Sequence, residues 1–144
     1  MREMVAVAGH SGTIISGSHD YLRTVQRLHN FKVWHRAQDL AYAAYQLTLA
    51  PALNRHFALI DQVRRASLSI PANIAEGYSL GTTAQFVRCL KVSLGSSTEL
   101  ATHLELLRRL ELIPREDVQK CQSLCNEVIS MLIGLIRALG RRTL

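Results

Sequence analysis

The chain has 144 residues, 48% of them hydrophobic, with only eight Gly and three Pro. That length holds one domain with a core large enough to need no metal or disulfide, and so little Gly and Pro excludes an all-β sandwich built on tight turns. Seventeen Lys and Arg against eleven Asp and Glu leave +6.

Fourteen of those seventeen cations are Arg, whose planar fork of donors suits phosphate. A basic, Arg-biased domain points to a polyanionic partner, most often nucleic acid; the plain alternative is a soluble protein whose cations only keep it in solution. Cys89, Cys121 and Cys125 are too few, and odd in number, for a disulfide framework. Free thiols suit a reducing compartment. No run of about eighteen apolar residues spans a membrane, and the first residues lack the apolar stretch of a signal peptide. The expected location is the cytoplasm, with no membrane partner.

Residues 1–28 are small and aperiodic around Gly9, Gly12 and Gly17. They read as a flexible N-terminal extension with a short helical piece from Tyr21 to Leu28. The spacing is neither a phosphate loop nor a nucleophile elbow. Residues 29–144 form the domain proper and carry fourteen Lys and Arg against nine Asp and Glu, so the positive charge belongs to the folded part.

Four helices are predicted in that domain. The first covers about Phe31 to Ala50, where Val33, Ala37, Leu40, Ala44 and Leu47 recur at helical spacing before Pro51. The second covers about Leu53 to Glu76, with Ile60, Val63, Ser67, Ile70 and Ile74 as its stripe. Pro71 should kink it, and Gly77 reads as the left-handed residue just past its end. The third starts from Thr82 or Thr83 as N-cap and runs to about Leu112. Phe86, Leu90, Ser93, Ser97, Leu100, Leu104 and Leu107 make a heptad seam. Ser93, Gly95, Ser96 and Ser97 leave its centre small enough for close approach by another helix. The fourth starts near Pro114, with Glu116 and Asp117 in its first turn. Its seam is Val118, Cys121, Cys125, Val128, Leu132, Leu135 and Leu139. Arg137, Arg141 and Arg142 at its end are what the helix dipole favours. Short links imply an all-α, antiparallel up-down four-helix bundle.

Catalytic chemistry is hard to place on this pattern. The six His are scattered, and none makes the Glu-x-x-His pairing of di-iron bundles. Cys121 and Cys125 share a helix face but have no third ligand nearby, so they read as core residues. Cys89, beside Arg88 and Lys91, reads as the more open thiol. No metal, cofactor or catalytic residue is expected, and the protein reads as a non-enzyme.

Two surface patterns remain. Gln62, Arg65, Ser69, Asn73 and Glu76 fall three, four, four and three apart, one polar stripe beside the apolar one. It reads as a hydrogen-bonded network that fixes bundle register or a subunit contact, with a binding groove as the alternative. Ser96 and Glu99 on the third helix are candidates for the same polar stripe or oligomer interface. The second pattern is basic: Arg36, Arg64, Arg65, Arg88 and Lys91 are the candidate phosphate contacts, although no aromatic stacking set stands beside them in sequence.

The run Phe31-Lys32-Val33-Trp34-x-x-Ala37, followed by Gln62-x-Arg64-Arg65-Ala66-x-x-Ser69-Ile70-Pro71-x-Asn73-Ile74-Ala75-Glu76-Gly77, resembles the four helix bundle protein family, also called the 23S ribosomal RNA intervening-sequence protein family. Phe86-x-x-x-Leu90, Gly95-Ser96-x-x-Glu99-Leu100 and Met131-Leu132-x-x-Leu135-Ile136-x-x-Leu139 extend the resemblance over about residues 30–140. It implies a four-helix bundle that assembles into a ring-like homo-oligomer, a pentamer in known relatives. It also implies kinship with the accessory variability determinant of diversity-generating retroelements, a basic barrel that partners a reverse transcriptase and binds RNA or DNA. Two departures thin the basic surface: Tyr78-Ser79-Leu80-Gly81 stands where relatives place cations, and Leu94 where an Arg is common.

Overall fold

A computed structural model describes residues 22, 23 and 26–142. Residues 1–21 of the expected extension lie outside them. Four long helices follow one another: α1 (Lys32–Thr48), α2 (Phe57–Ser79), α3 (Thr83–Leu110) and α4 (Arg115–Arg142), with a short 3-10 turn at Pro51–Leu53. No strand occurs among the described residues. Residues 22–23 and 26–28 are helical, and Leu28 is buried.

The helices pack antiparallel in chain order. Phe31 meets Tyr78 and Arg64 meets Thr48 across α1 and α2; Ser93 meets Ile70 and Ser69 meets Ser96 across α2 and α3; Cys125 meets Ser97 across α3 and α4. Arg36 on α1 reaches Glu127 on α4 and closes the square. The apolar stripes meet along the axis, where Leu40, Val63, Ile70, Ile74, Leu90, Leu100, Leu104, Leu107, Val118, Val128 and Leu132 are fully buried. Removing that aliphatic surface from water is the main stabilising term.

α2 departs from the sequence reading: it spans Phe57–Ser79 rather than about Leu53 to Glu76, for identifiable reasons. Pro71 lies inside an unbroken α2 and is itself buried. The nearby carbonyls of Ser69 and Ile70 accept from Asn73 Nδ2 at 2.8 Å and Ser93 Oγ at 2.9 Å, so side-chain donors support the backbone around the proline. Gly77 is not a left-handed cap. It sits within α2, and a Cβ there would lie 2.5 Å from the Cβ of Cys89 on α3. Gly77 is the place where two backbones approach closely, and the left-handed glycine after α2 is Gly81, at φ +82°. Thr82 then caps α3, its Oγ1 accepting from Gln85 N at 3.3 Å. At the other end of α3, Glu111 takes the left-handed conformation itself, at φ 53°.

The small centre of α3 is split. Ser93 and Ser97 are buried, donating to the carbonyls of Ile70 and Ser93, each at 2.9 Å. Gly95 faces outward with open space where a Cβ would stand, so it serves no close approach within the bundle. Cys89 also departs from expectation: it is buried against Gly77 rather than open. Cys121 and Cys125 are core residues, as the seam implied. Desolvation pushes their thiols up to about 12 and about 11, with Cys125 close enough to add to the shift at Cys121.

α4 is also the one helix, among the described residues, long and apolar enough to cross a membrane by length and composition. Ser, Asn and Gly interleave its Leu and Ile, so no uninterrupted apolar run marks it in the sequence. In the bundle α4 buries Val118, Cys121, Cys125, Val128 and Leu132. Met131, Ile133, Leu135 and Ile136 are only half-covered.

Candidate nucleic-acid interface

The polar stripe of α2 is a seam between α2 and α3. Ser69 Oγ and Ser96 Oγ share a hydrogen bond at 2.9 Å, and Asn73 Nδ2 donates to both the carbonyl and the hydroxyl of Ser69. Arg65 donates to Gln62 Oε1 at 2.8 Å and pairs with Glu99 of α3. His103 Nε2 is enclosed without a hydrogen-bond partner and lies 3.6 Å from the same Glu99 carboxylate. Glu76 stands apart, exposed, with no ion pair among the described residues. Gln62, Arg65, Ser69, Asn73, Ser96 and Glu99 are therefore brought together, and Glu76 is not.

The five basic candidates are not brought together. Arg36 is clamped by Asp39 at 2.9 Å and by Glu127, whose two oxygens take its Nε and Nη2 at 3.0 and 2.6 Å. The hydrogen bonds that Arg36 donates to Glu127 and Asp39 raise the Arg36 pKa, and the same bonds to Glu127 lower that of its carboxyl. Arg64 lies over the Tyr45 ring, 4.3 Å from its centroid, and donates to Thr48 Oγ1 at 2.8 Å. Arg65 is held by Glu99. Of these five candidates, only Arg88 and Lys91 are exposed and outside any ion pair among the described residues.

Antiparallel packing gathers other cations beside those two. The Ser93–Ile70 and Arg36–Glu127 contacts mark the middle of the bundle. The half that holds the start of α1, the end of α2, the start of α3 and the end of α4 comprises residues 22–40, 70–95 and 127–142. It contains nine cations (Arg23, Arg27, Lys32, Arg36, Arg88, Lys91, Arg137, Arg141, Arg142) against three carboxylates (Asp39, Glu76, Glu127). Arg36 takes up Asp39 and Glu127; the other eight cations make no ion pair among the described residues. The opposite half holds seven cations against six carboxylates. There Glu105 binds Arg108 at 2.7 and 2.8 Å and Arg109 at 2.9 Å, and the hydrogen bonds from Arg108 and then Arg109 pull its carboxyl down to about 2.

The basic end also collects aromatic rings. Phe31, Tyr78 and Phe86 from three helices meet at centroid distances of 5.7 to 6.0 Å. His29, Trp34 and His35 form a second group, 5.2 to 6.3 Å apart. In sequence, Arg137, Arg141 and Arg142 read only as partners of the α4 dipole, and Phe31, Lys32, Trp34 and Phe86 only as carriers of the family resemblance. The signal was available once the up-down order was expected, because it lies in which helix ends share a level.

Other concavities offer less chemistry. A groove of about 630 Å³ between α1 and α4 is lined mainly by Tyr42, Leu47, Leu49, Ala50, Ile113 and Leu124, with Asp117 and Lys120 at its edge. Among the described residues, no three His, Cys, Asp or Glu side chains come together as a metal site.

The fold and the polar α2–α3 seam define a class, the small antiparallel four-helix bundles. The family of the 23S rRNA-intervening sequence protein matches residues 29–134, and the chain belongs to that family. A solved structure from Bacteroides thetaiotaomicron VPI-5482, described as a protein with unknown function from the S23 ribosomal protein family, is similar at 28% identity and a TM-score of 0.66, covering 72% of this chain and 97% of its own. No curated protein matches.

Proposed function

We propose that this protein is a non-catalytic, self-associating bundle that binds nucleic acid through its basic end. The observation that carries this reading is the segregation of charge: eight cations without an ion-pair partner share one end with one unpaired carboxylate, Glu76, while the other end is nearly neutral. Unpaired Arg and Lys gathered at one end are the electrostatic footprint of a phosphate-binding surface. Arg88 and Lys91 remain phosphate contacts, joined by Arg27, Lys32 and Arg137. Arg36, Arg64 and Arg65 hold helices together instead.

Self-association belongs to the same proposal. The half-covered apolar residues Met131, Ile133, Leu135 and Ile136 of α4 supply surface that a ring of copies would bury. A reverse transcriptase is the protein partner that the resemblance implies, and a gene for one beside this one would support it.

The experiment is a titration of labelled RNA and DNA at several salt concentrations, with oligomer size followed in parallel. Binding that weakens steeply with salt is expected, since each phosphate contact contributes about 0.7 to 0.9 to the log–log slope. No binding at low salt, with the oligomer intact, would contradict the reading.

A further inference from the structure

The two aromatic groups at the basic end are built differently. Phe31, Tyr78 and Phe86 are half-buried and join α1, α2 and α3, so they act as packing. His29, Trp34 and His35 come from one short stretch at the start of α1. His29 and His35 are exposed and Trp34 is half-exposed. The His29 and His35 rings lie 5.3 and 5.2 Å from the Trp34 ring, at 82° and 67° to it. A hydrogen bond between His35 Nε2 and the His29 carbonyl ties the two histidines together. Arg27 and Lys32, both exposed, lie on the same stretch.

Three rings at an exposed edge, held in place and flanked by unpaired cations, are a poor docking site for an apolar protein face, because imidazoles are polar. They are a good one for a nucleobase: every base has a π-face, and proteins that hold single strands set aromatic rings beside a basic track. In a duplex the bases are stacked on one another, and only a single strand offers its bases to such rings.

We infer that the His29–Trp34–His35 group stacks an unpaired base of a single-stranded nucleic acid whose phosphates lie on Arg27 and Lys32. This rests on the reading of the basic end as a phosphate-binding surface and specifies the strand form it takes.

Trp34 is the only tryptophan in the chain, so intrinsic fluorescence reports on this group alone. The full chain is titrated with oligo(U), with oligo(dT), with a duplex of the same length, and with inorganic polyphosphate, which carries charge but no base. All four should bind by competition, and only the single strands should quench Trp34. Oligo(U) and oligo(dT) separate RNA from DNA preference. Because Trp34 also packs against the core, the variant used is H29A/H35A, at two exposed positions. It should lose about 5- to 150-fold in affinity for oligo(U) and keep its affinity for polyphosphate. If polyphosphate binds but no single strand quenches Trp34, and H29A/H35A matches the wild type, the stacking site is overturned while the basic end stands. If none of the four ligands binds at low salt, both fall.

Discussion

The two ends of this bundle have the same backbone architecture and opposite treatment of charge. At the end formed by the α1 and α2 junction and the α3 and α4 junction, seven cations stand among six carboxylates: Arg108 and Arg109 share Glu105, and Arg65, nearer the middle, holds Glu99, while Arg55, Arg64, Arg115 and Lys120 make no ion pair among the described residues. At the other end Arg27, Lys32, Arg88, Arg137 and Arg142 make no ion pair among the described residues, and the three carboxylates there are outnumbered by nine cations. Exposed ion pairs add little to stability, so their presence at one end is not what keeps the bundle folded. Their absence at the other leaves a standing positive potential. The comparison separates cations that hold helices in register from cations that remain available to a polyanion.

The balanced half contains the two buried thiols of α4, and alkali is the strongest way to disturb it. Both thiols titrate above their ordinary value in the fold. The stability tied to keeping them neutral is fully present below about pH 9 and is lost as pH rises through about 11 to 12. Cys121→Val with Cys125→Val should move the alkaline unfolding midpoint upward, followed by circular dichroism. An unchanged midpoint would place the cause elsewhere.

Gly77→Ala disturbs the other half. Its Cβ would meet Cys89 at 2.5 Å, and overpacking of this kind costs about 1–3 kcal/mol, read as a fall in the denaturation midpoint. Gly95→Ala should do the reverse. Space is open there, so the better helix propensity of Ala stabilises by about 0.5–1 kcal/mol. Should Gly95→Ala instead destabilise or change the oligomer size, Gly95 belongs to a subunit contact.

The smallest expected effect is that of Arg36→Ala. The Arg36–Glu127 pair is partly exposed, and such pairs add little to stability. Because Arg36 is held by Asp39 and Glu127 rather than free for phosphate, its loss should weaken nucleic-acid binding less than the loss of Arg88 does. A large loss of affinity would mean that Arg36 leaves its carboxylates to meet phosphate.

The bundle was legible because aliphatic periodicity is a local signal. Val33 to Leu47 and Val118 to Leu132 name their buried faces without help from the rest of the chain. The α2–α3 polar seam was legible for the same reason, through the spacing of Gln62, Arg65, Ser69 and Asn73. Gly77 was not: from sequence a glycine near a helix end reads as a cap, and only the approach of Cys89 from α3 shows its use. The basic surface was half legible. Arg88 and Lys91 stand on it, but the pairing of Arg36 with Glu127 and of Arg65 with Glu99 spans 91 and 34 residues. No local pattern carries such partners. Trp34 with its two histidines was overlooked because each residue has a bland local reading, and they gain a common meaning only beside Arg27 and Lys32.

The most direct measurement compares charge removal at the two ends. A triple variant at the basic end, Arg88→Ala, Lys91→Ala and Arg137→Ala, is set against one at the balanced end, Arg55→Ala, Arg109→Ala and Arg115→Ala, with RNA affinity measured against salt for both. The basic-end variant should bind at least about tenfold more weakly at low salt and show a log–log slope shallower by about 2, the loss of three single-strand phosphate contacts, while the balanced-end variant tracks the wild type. Equal losses in the two variants would mean that binding follows net charge alone, and would contradict a binding surface at the basic end.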